Sequence, residues 1–381
     1  MDKKNTVSGK VFFISNQQYK DESKWSLEHG LETVRIYTGK RNHPANTTAR
    51  EHLSFGHRIV HVPKNCTSRE VQEMLSGVGL FRRYGASLFG KTPHVERAVP
   101  YASMEVLFQE IEKSLKQSAQ HNIVQHFGRK MIILFVSGFD FNHATACMRA
   151  FTFNYPYLNA PQIDCPVVSF VWPSENSVFG YNIDGANVEW SVPHMLLTVN
   201  AFIKRFGAEN IIFIDHSMGG RLGARTFEKR FDQNNGNIAD SQKLAHIINA
   251  CADVDAGTYE LLYGRPVSAC AQKVTNYISD RDQPLFFARL YWGGYRRLGQ
   301  SLVDFKYLDP PIIAHTDWCN FTIGDVGEMG HTIDGALMLN MLFSNNTDPG
   351  PGYVLTEKLT SEKGAPRDAS SKHFIVERER K

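Results

Sequence analysis

Apolar positions fall first into short runs and then into a regular alternation. Residues 11–14, 34–37 and 58–62 read as strands, separated by polar turns containing Gly and Asn. Residues 77–90 mix Gly, Phe, Arg and Tyr without periodicity and predict a loop or a short irregular helix. From Ser103 the spacing changes. Val106, Leu107, Ile111 and Leu115 share one helical face, with Ser103 as N-cap and, because Val106 stands three positions on, no full capping box. Strand-length apolar runs then follow at 131–136, 167–171, 210–214, 244–250, 274–278 and, more weakly, 321–323. Helical patterns at 143–151, 187–204 and 219–231 lie between them, and another at 336–342 follows. Near-continuous apolar strands alternating with helices predict a mostly parallel central sheet with helices on both faces. Three regions are expected: N-terminal strands, loop and helix over 1–120, a core over 121–348, and a polar tail over 349–381, in which the apolar island 374–376 leaves a docked helix or strand open.

Composition narrows the class. The chain has 381 residues, 42% hydrophobic and 21% charged, enough for a sizeable core. A net charge of +3 gives no bulk electrostatic case for nucleic acid or an anionic membrane as main partner. Cys66, Cys147, Cys165, Cys251, Cys270 and Cys319 are scattered with no C-x-x-C pair, which points to free thiols and a reducing compartment. No run approaches the roughly 18 apolar residues of a membrane span, and the first apolar run is shorter than a secretory h-region of about 7–15 residues. A cytoplasmic location is expected.

The chemistry concentrates at Ile211-Ile212-Phe213-Ile214-Asp215-His216-Ser217-Met218-Gly219-Gly220. An apolar strand ends, a serine follows, and two glycines open a helical pattern. This is the setting of a nucleophile elbow, where a strained turn presents a serine at a helix N-terminus. Asp215 stands where the G-x-S-x-G pattern has its first glycine. His216, adjacent to the serine, is a minor candidate base; neighbours on a tight turn point apart, so a packing or hydrogen-bonding role is expected for it.

A hydroxyl nucleophile needs a base, and the base needs an orienting carboxylate. Chain order Ser, acid, His directs attention to Ser279-Asp280-Arg281-Asp282-Gln283-Pro284, after the run at 274–278. Asp282 is the first candidate acid, with Asp280 and Asp255 as alternatives. His331, at the end of the glycine-rich stretch 324–330, is the candidate base, with His315 as rival. The backbone N–H groups of Met218 and Phe139 are the candidate oxyanion hole, Phe139 lying in Ser137-Gly138-Phe139-Asp140 after the run at 131–136. Trp172 and Ser174 sit at the end of a central strand, where open α/β sheets bind ligands. With Tyr181 they are the candidate substrate-binding residues, a packing role for Trp172-Pro173-Ser174 being the alternative. Arg289, Arg296 and Arg297, interleaved with Tyr291, Trp292 and Tyr295, read as a solvated helix face or as a lid meeting an anionic or lipid head group.

These pieces resemble the bacterial α/β-hydrolase family of unknown function DUF900, described as esterase- or lipase-like. Phe135-Val136-Ser137-Gly138-Phe139-Asp140 is similar to its strand and HGYN loop, with Ser137 in place of His. Val171-Trp172-Pro173-Ser174, followed by Gly180-Tyr181 and Asp184, resembles its Trp-Pro-Ser element. Asp215-His216-Ser217-Met218-Gly219 resembles its AHSMG elbow, with Asp215 in place of Ala. Asp253-Val254-Asp255, the turn at 279–285 and Met329-Gly330-His331 match its remaining motifs, and the resemblance spans roughly residues 10–345.

The resemblance implies an α/β-hydrolase fold and a triad of Ser217, Asp282 and His331; the family has no well-defined substrate, and the expected reaction is hydrolysis of a small-molecule or lipid ester, with thioesters and amides open to the same residues. No organic cofactor and no metal is implied. Two other readings stand beside it: a non-catalytic α/β-hydrolase-fold binding protein, which Asp215 favours, and a lipase-type effector or defence toxin.

Overall fold

The runs at 132–136, 167–171, 211–216 and 246–250 are buried at every position. That is the burial of strands covered on both faces, and it explains why these segments carry no polar alternation. The computed structural model describes residues 6–26, 30–44, 46–63, 94–118, 128–139, 141–153, 165–175, 177–300, 317–323, 331, 335–343, 353–358 and 372–378. The segment 77–90 and His315 lie outside them.

Two compact units divide the chain, Met1–His194 and Met195–Lys381. In the first, β1 (Thr6–Ser15) is followed by β2 (Gln17–Ser26), β3 (Gly30–Arg41), β4 (Ser54–Pro63), β5 (His94–Val95) and β6 (Val99–Tyr101). Helix α1 (Met104–Gln117), β7 (Ile132–Val136), α2 (His143–Phe151) and β8 (Val167–Val171) complete it, and α3 (Tyr181–Phe206) runs on into the second unit. β8 pairs in parallel with both β7 and β1, and β4 closes antiparallel on β1. β2 and β3 form a hairpin of their own.

Local sequence accounts for the helix ends. The Ser103 hydroxyl accepts from the Val106 amide at 3.3 Å, capping α1 as expected, and Leu107 and Ile111 are fully buried beneath it. Each buried aliphatic side chain of this size contributes about 1.5–3 kcal/mol. At the other end Lys130 donates to the carbonyls of Leu115 and Ser118, both at 2.6 Å, placing a cation on the helix C-terminus. Asn142 caps α2 through the Thr145 amide.

The second unit contains β9 (Ile211–His216), α4 (Gly219–Gln233), β10 (His246–Ala250), α5 (Gly264–Cys270), β11 (Lys273–Ile278) and α6 (Gln283–Tyr291), then β12 (Asp317–Ile323), α7 (Gly335–Phe343), β13 (Tyr353–Lys358) and β14 (Lys372–Arg378). Strands β9, β10, β11, β12 and β14 are successive parallel neighbours, and β13 lies antiparallel on β14. The central sheet is therefore mostly parallel and flanked by helices. The segment expected as a polar tail, with a docked helix or strand left open at 374–376, supplies two strands, with Phe374 in register with Phe321. Among the described residues no helix is long and apolar enough to cross a membrane.

Candidate active site

Ser217 occupies the two-residue gap between β9 and α4, with φ of 55°, a left-handed backbone that costs a non-glycine residue about 1–2 kcal/mol. Its own peptide groups fix that geometry. The Ser217 amide donates to the Ala250 carbonyl at 3.1 Å, and its carbonyl accepts from Gly220 at 3.0 Å and from Asp253 at 2.7 Å. The side chain thus stands at the N-terminus of a 15-residue helix, whose dipole favours negative charge there.

Asp215, the unusual residue of the elbow, is fully buried, and neither carboxyl oxygen has a hydrogen-bond partner. Burial raises its pKa well above the ordinary value of 3.8, which favours the neutral acid. Space for it comes from α4. A Cβ added at Gly223 would lie 2.6 Å from one Asp215 oxygen, and one at Gly220 would lie 3.0 Å from the other. The glycines after the serine therefore accommodate the side chain before it.

Asp282 divides its carboxylate between two tasks. Oδ1 accepts from the Leu285 amide at 2.8 Å and caps α6, while Oδ2 accepts from His331 Nδ1–H at 2.7 Å. Capping fixes the carboxylate, the α6 dipole favours its charge, and Gln300 holds its backbone carbonyl at 2.9 Å. His331 is anchored in turn: its carbonyl accepts from His216 Nε2–H at 2.9 Å, and the two rings lie 4.8 Å apart. The residue preceding the serine thus holds the histidine. Asp282 is 1% exposed and Asp280 is on the surface. Asp255 caps a short helical turn through the Thr258 amide at 2.7 Å.

Two features go beyond what the sequence reading assigned. Asp253, whose amide holds Ser217, is ion-paired with buried Arg297 at 2.7 Å. Arg297 therefore differs from the solvated or lid residue expected, whereas Arg289, Tyr291, Trp292, Tyr295 and Arg296 are exposed. Cys251, at the end of β10 with φ of 46°, brings its sulfur within 4.8 Å of ligating atoms of Asp282 and His331.

The remaining candidates lie in the first unit, apart from Met218, which is buried at the start of α4. Trp172 is buried, and its indole N–H donates to the Ser137 carbonyl at 2.8 Å. The Ser174 hydroxyl donates to Asp184 Oδ2 at 2.6 Å, and Asp184 Oδ1 accepts from the Glu175 amide at 2.8 Å. Both polar groups are thus engaged within the fold. Tyr181 meets Phe139 edge to face, with ring centroids 5.3 Å apart.

A parallel sheet with a strained serine between strand and helix defines the α/β-hydrolase class. The chain belongs to the α/β-hydrolase family of unknown function DUF900, whose model matches residues 115–316, just over half of it. Ser217 and Asp282 lie within that stretch and His331 beyond it. Similar solved structures include a mutant of the esterase E40, 14% identical, with a TM-score of 0.25 over 57% of this chain and 63% of that one. The chain thus spans less than two thirds of that relative. The RedJ thioesterase of the prodiginine pathway in Streptomyces coelicolor is 9% identical, with a TM-score of 0.26 over 57% of this chain and 90% of its own. No curated protein matches.

Proposed function

We propose that this hydrolase cleaves carboxylic esters through a covalent acyl-enzyme, with Ser217 as nucleophile, His331 as base and Asp282 as orienting acid. One observation carries the reading: His331 and Asp282, 49 positions apart, meet at 2.7 Å while the histidine is tethered to the residue before the left-handed serine. With Nδ1–H held by the carboxylate, Nε2 keeps its lone pair for the serine proton. Ser217 Oγ attacks the carbonyl carbon as that proton passes to His331, and the oxyanion is held by the Met218 amide at the N-terminus of α4. The imidazolium protonates the leaving alcohol. Water then attacks the acyl-enzyme by the same route and frees the acid. Asp282 stabilises the imidazolium in both steps.

Trp172, Ser174 and Tyr181 are assigned to the substrate pocket. Asp215 does not weigh against catalysis, because its carboxyl is accommodated by Gly220 and Gly223. Labelling with a fluorophosphonate probe tests the reading. The folded wild-type protein is expected to label and Ser217→Ala to give none. Absence of labelling in folded wild type would overturn the proposal in favour of a ligand-binding scaffold.

A further inference from the structure

The proposed triad leaves one neighbouring group unused. Cys251, Asp282 and His331 each offer a metal-ligating atom, and these atoms lie within 4.8 Å of one another. Among the described residues no other trio of His, Cys, Asp or Glu side chains converges in this way. Cys251 is a buried cysteine outside any disulfide, on a fixed backbone. Its amide donates to the Tyr277 carbonyl at 3.0 Å, and a Cβ added at Gly299 would lie 2.4 Å from its carbonyl carbon, so the two segments are in close contact. Asp282 is fixed by its helix cap and buried, while the His331 side chain retains 12% exposure, giving an ion a route from solvent.

We propose that Cys251, Asp282 and His331 form a binding site for a borderline-soft divalent ion of the Zn²⁺ type, and that its occupation switches the hydrolase off. A thiolate, an imidazole nitrogen and a carboxylate oxygen are a donor set that suits Zn²⁺, leaving a fourth position for water. With metal–ligand bonds of about 2.0–2.3 Å, tetrahedral donors sit roughly 3–4 Å apart, so the cluster closes by about 1 Å to hold the ion. The 2.7 Å bond between His331 and Asp282 is a proton-sized gap. The ion takes that proton's place.

The protons balance without any redox step. The Cys251 thiol proton leaves to solvent as the sulfur–metal bond forms. The imidazole proton leaves Nδ1 and, exchanged through solvent, returns at Nε2, so His331 stays neutral. With Nε2 protonated it has no lone pair for the Ser217 hydroxyl, and catalysis stops until a chelator removes the ion. The inhibitory role rests on the triad reading above. The metal site itself does not.

Cobalt(II) titration of the metal-stripped full-length protein tests the site through the thiolate-to-cobalt charge-transfer band. One equivalent is expected to produce the band, Zn²⁺ to displace it, Cys251→Ser to abolish it and Ser217→Ala to leave it intact. His331→Gln, with unchanged circular dichroism, is expected to weaken cobalt binding at least about tenfold, a second readout should Cys251→Ser fail to fold. No band in the wild type, or the same band in Cys251→Ser, overturns the site. For the switch, the rate of fluorophosphonate labelling is expected to fall at least about tenfold with saturating Zn²⁺, recover with EDTA, and become insensitive to Zn²⁺ in Cys251→Ser. Undiminished labelling of the metal-loaded protein overturns the switch. A protein that binds cobalt through Cys251 yet labels with no probe keeps the site and removes the hydrolase reading, so the two fail separately.

Discussion

Asp282 has two attachments, and substitutions that separate them test its role at the scale of one side chain. In Asp282→Asn the amide oxygen is able to keep the Leu285 cap, but the pair no longer selects the Nδ1–H tautomer of His331. Ester turnover is expected to fall by about 10³–10⁴-fold, the range associated with a wrong imidazole tautomer, with little loss of stability. Steady-state rates beside a urea melt separate the two effects, and a large stability loss with intact turnover per folded molecule would make Asp282 a structural cap only. Asp215 gives a second prediction at this scale. Burial holds its folded pKa well above 3.8, so above that pH the folded protein keeps a proton that the unfolded chain gives up. Stability is therefore lost as pH rises from about 4 through the raised value. Asp215→Asn is expected to melt at higher temperature than wild type at pH 8, with the gap closing as pH falls toward 4. Parallel melting curves across that range would show that Asp215 does not keep its proton on folding.

At the scale of elements, the elbow is a fit between the end of β9 and the first turns of α4. Gly223 is small because Asp215 Oδ2 and the Phe213 ring, 2.6 Å and 3.1 Å from an added Cβ, fill its place. Gly223→Ala is expected to destabilise by about 1–3 kcal/mol through overpacking. In the Asp215→Ala background that cost is expected to shrink by at least about 0.5 kcal/mol, since residues in contact are not additive. Chemical denaturation of the four proteins measures the coupling, and strictly additive losses would contradict the fit. This fit also shows how far the sequence was legible. The strand, the serine and the two glycines were readable, because an apolar run ending in small residues has a local meaning. The partner of Asp215 was not, because Gly223 looks like any helical glycine until the helix is packed. Asp282 and His331 were both singled out from chain order, and the structure brings them together. Cys251 was passed over because a scattered cysteine has no spacing to read. Arg297 was read with its exposed neighbours, although its place is set by Asp253, 44 positions earlier.

At the scale of the whole molecule, the C-terminal region was the least legible part of the sequence. Polar and Gly/Pro-rich composition obscured strands that pair over long separations, and the apolar island at 374–376 was the one visible trace of them. β14 lies parallel to β12, with Cys319 opposite Lys372 and Ile323 opposite Val376, and β13 closes antiparallel on β14. Lys358 and Glu357 stand in β13, charged residues of the kind that discourage further pairing on the border of a sheet. Ending the chain at residue 348 removes both strands and leaves β12 with an open row of amide and carbonyl groups. Since β12 pairs with β11, and β11 leads directly into the Asp282 turn, the loss is expected to reach the acid as well as the border. The shortened protein is expected to lose soluble yield and to melt at least about 5 °C lower, on the scale of roughly 2–4 °C per kcal/mol that holds for units of about 150–250 residues. Its fluorophosphonate labelling is expected to be lost at a lower temperature in step with the melt. Unchanged melting and yield would mean that β13 and β14 rest on the sheet without supporting it. Lower stability with labelling unaffected at all temperatures would separate the Asp282 turn from the border of the sheet it follows.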